Sequence, residues 1–190
     1  PILTTVPTEE CASPSVLYRR LRVDPSTTSG SCLLESSDTD NPTARGSIIA
    51  AHCPLRIELV GDQACIIPLG SSGDALIEEL RLRLPSRRDG DKLLARFPSV
   101  CKSSYPDDTM RLQSPCVLDA LRTVAGLVAD EDDSAPMAPG LFGAFGYEIV
   151  DCFEDLPPRN PDPLDEPDAS FVLATDQVLF DHDRGEVHVI

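Results

Sequence analysis

Three groups of residues in this sequence have the types and spacing for chemistry. The first is Gly140 to Pro158, GLFGAFGYEIVDCFEDLPP, where Gly140, Gly143 and Gly146 recur every third position. Glycine-rich turns can cradle a phosphate, but no Lys-Ser/Thr follows and the spacing is not that of a dinucleotide fingerprint. With Leu141, Phe142, Ala144 and Phe145 between them, the glycines are expected to let a neighbouring chain approach where a side chain would clash. The acids Glu154 and Asp155, beside Leu156-Pro157, are expected to cap or solvate a helix end rather than work as an acid–base pair.

The second group is the thiols and imidazoles. His52, His182 and His188 lack metal-ligand spacing, and a thiol nucleophile would need one of them beside a cysteine in space. His52 and Cys53 are sequence neighbours, but adjacent side chains on a strand face opposite ways. The seven cysteines are an odd number without a CxxC pair. Neither a disulfide framework nor a zinc site is expected, and reduced thiols are. The third group is Leu34-Glu35-Ser36, at the polar end of the apolar run that starts at Ser31. It combines an apolar wall, a carboxylate able to meet an ammonium, and a hydroxyl. An abrupt apolar-to-polar change suits a ligand; the plain alternative is a buried strand end.

The elements that must position these groups follow from patterning. Ser13-Pro14 opens a short helix carrying Val16, Leu17 and Leu21, which Asp24-Pro25 should end. Ser31 to Ser36 reads as a buried strand, and Ser47 to Ala51 as a second. Leu55, Ile57 and Leu59 alternate with Arg56 and Glu58, Gly61-Asp62 turns, and Gln63 to Ile67 returns, which predicts a hairpin. Ser71 or Ser72 should cap a helix with Leu76, Ile77, Leu80 and Leu84 on one face and the pair Glu79 and Arg83 on the other. Pro85 should end it, and Ser86 to Tyr105 reads as irregular. A further helix is expected from Ser114-Pro115, with a stripe of Val117, Leu118, Leu121, Val124, Ala125 and Val128. It should stop before the acids Asp130 to Asp133, which would oppose its dipole. Leu141 to Phe145 reads as a strand, Tyr147 to Phe153 as a short helix, and Ser170 to Ala174, Val178 to Asp181 and Val187 to Ile190 as strands. Hairpin signals dominate over regular strand–helix alternation, which predicts an α+β domain with antiparallel sheet.

Composition narrows the function classes. At 190 residues the chain fits one domain or part of one. Sixteen basic against 32 acidic residues give a net charge of −16, which repels polyanions, so no nucleic acid and no anionic membrane is expected as a partner. The acids gather at Asp130 to Asp133 and in Asn160 to Asp168, both read as exposed loops. No apolar run approaches the roughly 20 residues of a membrane span. PILTTVPTEE carries no signal-peptide pattern, and a cytoplasmic domain is expected. The chain starts without methionine and stops on an alternating strand pattern, which reads as a piece cut from a longer protein.

Two of these stretches together carry a resemblance. Leu33-Leu34-Glu35-Ser36-Ser37-Asp38 with Leu55-Arg56-Ile57, and Gly140-Leu141-Phe142-Gly143 with Tyr147-Glu148 and Phe153-Glu154-Asp155-Leu156-Pro157, are similar to the N-terminal part of the anthranilate synthase component I family of chorismate-utilising enzymes. Ala169 to Ala174 and Val178 to His182 continue it, so it covers nearly the whole chain. The resemblance implies that residues 1–190 are the N-terminal regulatory domain of such a protein, with antiparallel sheets packed with helices as in the N-terminal part of the chorismate-utilising synthase fold. Family members convert chorismate to anthranilate and pyruvate in tryptophan biosynthesis, with Mg²⁺ and with ammonia from a glutamine amidotransferase subunit. The family's chorismate and magnesium residues lie in a C-terminal catalytic half. No catalytic residue and no metal ligand is therefore expected here, and the fragment alone is expected to be inactive.

The resemblance also implies a feedback site for L-tryptophan. Glu35 and Ser36 would meet the zwitterion and Leu34 would line the indole side. Where the family often has a tryptophan-contacting lysine, this chain has Gly46, with Arg45 beside it as the substitute. Two other readings stand beside this one. The aminodeoxychorismate synthase large subunit shares the fold, and a non-catalytic amino-acid-sensing module would act alone.

Overall fold

The computed structural model describes residues 4–22, 30–36, 45–98, 107–129, 139–154, 156–157 and 164–190, apart from the side chain of Leu112. Among them are eleven strands, in chain order β1 (Thr4–Pro7), β2 (Cys32–Leu34), β3 (Gly46–His52), β4 (Leu55–Val60), β5 (Gln63–Pro68), β6 (Ser86–Asp89), β7 (Lys92–Arg96), β8 (Gly140–Phe145), β9 (Ala169–Ala174), β10 (Asp176–Asp181) and β11 (Glu186–Val189). The α-helices are α1 (Pro14–Leu21), α2 (Ser71–Arg83), α3 (Asp108–Gln113) and α4 (Leu118–Gly126), with 3₁₀ turns at Thr8–Glu10 and Tyr147–Cys152. The strands form a five-stranded sheet, β1-β11-β10-β3-β2, and a six-stranded sheet, β6-β7-β5-β4-β9-β8. The pairings are antiparallel throughout the first sheet and along β4-β5-β7-β6. This is the expected α+β class.

The chain divides into two compact units, and both β8 and β9 pass from one into the other. In the first unit, alternation along β3 sends Ile49 and Ala50 to opposite faces of the sheet. Ile49 joins Val178, Phe180 and Val187, against which Val6, Leu17, Tyr18 and Leu33 pack. Ala50 joins Cys53 and Ala174, with Cys32, Phe142 and Val172 around them. In the second unit, Leu55, Ile57, Leu59, Ala64, Ile66, Leu93 and Ala95 are buried on the sheet. Helix α2, which buries Ile77 and Leu80, contacts β5, β7 and α4.

Several local expectations are corrected. Ser31 to Ser36 is not a buried strand: β2 spans Cys32–Leu34 at the sheet edge, and Leu34 is 54% exposed, because an edge strand has a neighbour on one side only. Ser86 to Tyr105 is not irregular. Its described part holds the hairpin β6–β7, whose turn uses Gly90 at φ 64, and residues 99–106 lie outside the described residues. Neither Ser71 nor Ser72 caps α2; Gly70, at φ 86, takes the position instead. The helix expected from Ser114-Pro115 starts at Leu118, after Asp119 Oδ2 accepts the Cys116 amide at 2.8 Å. Helix α3 precedes it, and β1 was not expected at all. The short helix after Gly146 is a 3₁₀ turn ending at Cys152. Asp24-Pro25, Asp130 to Asp133, Asp155 and Pro158 lie outside the described residues.

Helix α3 depends on its first residue. Asp107 Oδ1 accepts the Met110 amide at 2.8 Å, satisfying one of the donors that a helix start leaves open. Asp107→Ala is expected to destabilise the second unit by about 1 kcal/mol, measured as a shift of the urea midpoint with unchanged slope.

Candidate functional site

The polar end of β2 is held from below by a chain of hydrogen bonds. In the ladder Leu34 stands opposite Ile48, so Ser36 comes level with the start of β3. The Ser36 amide donates to Ser47 Oγ at 3.1 Å, and Ser47 Oγ lies 2.8 Å from His182 Nε2. The hydroxyl oxygen accepts from the amide, and it can either donate its hydrogen to Nε2 or accept from it with its second lone pair, according to the ring's tautomer. The backbone closes the same link: the His182 amide donates to the Arg45 carbonyl at 3.0 Å. Ser47 is 1% exposed, where an unpaired hydroxyl would be costly. The main chain at Ser36 is therefore held by the buried Ser47 hydroxyl, itself paired with the half-buried His182.

Leu33 packs toward the Ile49 core, so Leu34 turns to the other side and is exposed. Glu35 is exposed and Ser36 half-buried. Arg45 Nη1 forms an exposed ion pair with Asp183 at 3.2 Å. Arg45, Gly46, Leu179, Phe180, Asp181 and Arg184 line an open groove of about 340 Å³ at the β3–β10 end.

 A side chain at Gly46 would bring its Cβ to 3.2 Å from the Phe180 carbonyl, so glycine there fits the close β3–β10 pairing. The structure thus joins Ser36 to Ser47 and His182, two residues that sequence reading missed as partners, and it carries Arg45 to Asp183.

The other chemistries find their places too. Each histidine meets a hydroxyl: His52 Nδ1 lies 2.9 Å from Thr175 Oγ1, and His188 Nδ1 lies 3.0 Å from Thr5 Oγ1. Burial pushes the Cys53 thiol up to about 12, with Cys32 and Asp176 adding to the rise. Burial likewise pushes Cys152 up to about 11, helped by Asp168. Such thiols are poor nucleophiles at neutral pH. Among the described residues no group of three or more His, Cys, Asp or Glu side chains could hold a metal ion. No helix of the described residues is long and apolar enough to cross a membrane. In the second unit a cavity of about 140 Å³ is lined by Asp62, Cys116, Val117, Asp151, Cys152 and Asp168. Asp168 is half-buried rather than part of an exposed loop, and its carboxylate accepts the Gly61 amide at 2.6 Å.

The Cys53 shift has a measurable consequence. A thiol whose folded value lies above its ordinary value near 9 favours folding below that value, and the advantage is lost as pH rises toward about 12. Stability is expected to fall between those limits in thermal melts, and Cys53→Ala is expected to flatten the decline.

The geometry defines an α+β chain with a braced strand end at Ser36. No family model matches the chain. It is 32% identical over 183 residues to anthranilate synthase component 1 of Escherichia coli (strain K12), covering 93% of this chain and 34% of that protein. It is 35% identical over 134 residues to the pyocyanine-specific anthranilate synthase component 1 of Pseudomonas aeruginosa, covering 68% of this chain and 24% of that protein. A match at 28% over 180 residues to the Mycolicibacterium smegmatis protein of the same name covers 94% of this chain and 27% of that protein. These matches relate the chain to anthranilate synthase component 1, at its N-terminal domain. The chain spans about a third of the length of the first curated relatives it matches.

Proposed function

We propose that residues 1–190 are the N-terminal regulatory portion of an anthranilate synthase large subunit. The observation that carries this reading is the 32% identity to the Escherichia coli protein over 93% of the chain. The complete protein would convert chorismate to anthranilate and pyruvate in the cytoplasm, with Mg²⁺ bound outside these residues and ammonia supplied by a glutamine amidotransferase subunit. The 190 residues alone would be inactive.

In this reading L-tryptophan binds at Leu34, Glu35, Ser36 and Arg45. Glu35 supplies a carboxylate for the ammonium, the main chain at Ser36 is already held by Ser47, and the exposed Leu34 offers an apolar surface to the indole. A pre-positioned strand end lowers the ordering cost of binding. Bridging to the catalytic half would make tryptophan an inhibitor. It stabilises one relative arrangement by its difference in affinity between two, and a coupling of about 1–3 kcal/mol shifts affinities roughly 5- to 150-fold.

Product analysis of the complete protein tests the activity. Anthranilate with pyruvate supports the proposal, and aminodeoxychorismate overturns it. Calorimetry with L-tryptophan on the same protein tests the regulatory half separately, since an active enzyme that binds no tryptophan keeps the first conclusion and sinks the second.

A further inference from the structure

The charge of the chain is unevenly spread over its second unit. From Ser86 to Arg96 there are four basic residues, Arg87, Arg88, Lys92 and Arg96, and two acidic ones, Asp89 and Asp91, in a chain of net charge −16. This stretch is the hairpin β6–β7, and β6 forms one edge of the six-stranded sheet. Arg87 stands opposite Leu94, and Arg96, two residues beyond Leu94, shares that face. With Gln63, Pro85 and Ser86 these three line a groove of about 440 Å³.

The ladder shows which main-chain groups the edge leaves open. The Arg96 amide donates to the Pro85 carbonyl, so the alternation of an antiparallel pair turns Arg87 and Asp89 toward β7. Ser86 and Arg88 then direct their amides and carbonyls away from it. We propose that this edge receives an extended acidic segment of a partner protein as an added strand, with its carboxylates over Arg87 and Arg96.

The charges select the occupant. Basic side chains on an edge strand commonly guard against pairing with another copy. Two β6 strands side by side would bring Arg87 and Arg88 against the same residues, and like charges across a ladder destabilise it. An acidic strand meets the opposite sign. Main-chain bonds would supply affinity and side chains over the groove would supply selectivity.

The test uses the 190-residue chain and fluorescein-labelled octapeptides of alternating Glu-Val or alternating Lys-Val. Anisotropy is expected to show binding of the Glu-Val peptide alone, weakening as salt is added. Hydrogen exchange at the Ser86 and Arg88 amides should slow when it binds. The double variant R87E/R96E should bind about tenfold more weakly. Arg88→Pro removes an outward amide that β7 does not use, and it should abolish the protection. No binding of the Glu-Val peptide, equal binding of the Lys-Val peptide, or full affinity in folded Arg88→Pro overturns strand addition. If Arg88→Pro does not fold, R87E/R96E decides, and unchanged affinity overturns the proposal. Self-association that the Glu-Val peptide fails to displace overturns the choice of occupant.

Discussion

Gly143→Ala is expected to cost about 3 kcal/mol or more, toward the upper end of what overpacking does to a well-packed site. A Cβ built at Gly143 would overlap the Ser170 carbonyl and lie 2.7 Å from Phe171 Cα. Those are main-chain atoms of β9, so no rotamer change relieves the overlap, and β8 and β9 would have to separate. Phe145, whose ring meets that of Phe171 edge-on at 4.8 Å, would lose its partner in the process. The comparison is Gly126→Ala at the end of α4, where nothing lies within 4 Å of the added atom. That change is expected to stay within about 0.5 kcal/mol, helix propensity favouring alanine. Denaturant titration of both variants checks the contrast, and equal midpoints would remove the close approach as the reason for glycine at Gly143.

If the proposed tryptophan site is at Ser36, Ser36→Phe is expected to lower L-tryptophan affinity in the complete protein by roughly 100-fold or more, the equivalent of about 3 kcal/mol. Its main chain is pinned to Ser47, so the strand end cannot shift freely to make room for a phenyl group where the proposed ligand would bind. Calorimetry measures the affinity, and a melting curve shows whether the fold survived. Unchanged binding in a folded variant means that Ser36 is misassigned. Ser47→Ala addresses the support beneath the proposed site. It leaves the Ser36 amide and His182 without their shared partner, a loss of about 1–3 kcal/mol, and should weaken tryptophan binding less than Ser36→Phe does.

Elements with both a strong period and a turn signal were legible. The hairpin β4–β5 alternates cleanly and turns at Gly61-Asp62, as expected. The role of Gly143 was legible too, since glycine among aromatics in a strand implies a close neighbour. The hairpin β6–β7 was missed because Arg87, Arg88 and Lys92 do not read as strand formers. Only Leu93 and Ala95, buried against their neighbours, commit β7 to the sheet. The Asp89-Gly90 turn was the available signal. Helix α3, six residues long, is too short for a periodic stripe to register.

The sequence by itself determined the α+β class, the strand end at Leu34-Glu35-Ser36 and the relation to anthranilate synthase component 1, because all three reside in local pattern and residue identity. Only the tertiary structure decided that Ser36 rests on Ser47 and His182, the latter pair 135 residues apart, and that Arg45 reaches Asp183. Such partners are set by the register between β3 and β10, and a register between distant strands arises from packing two sheet faces at once, which no short stretch of chain encodes.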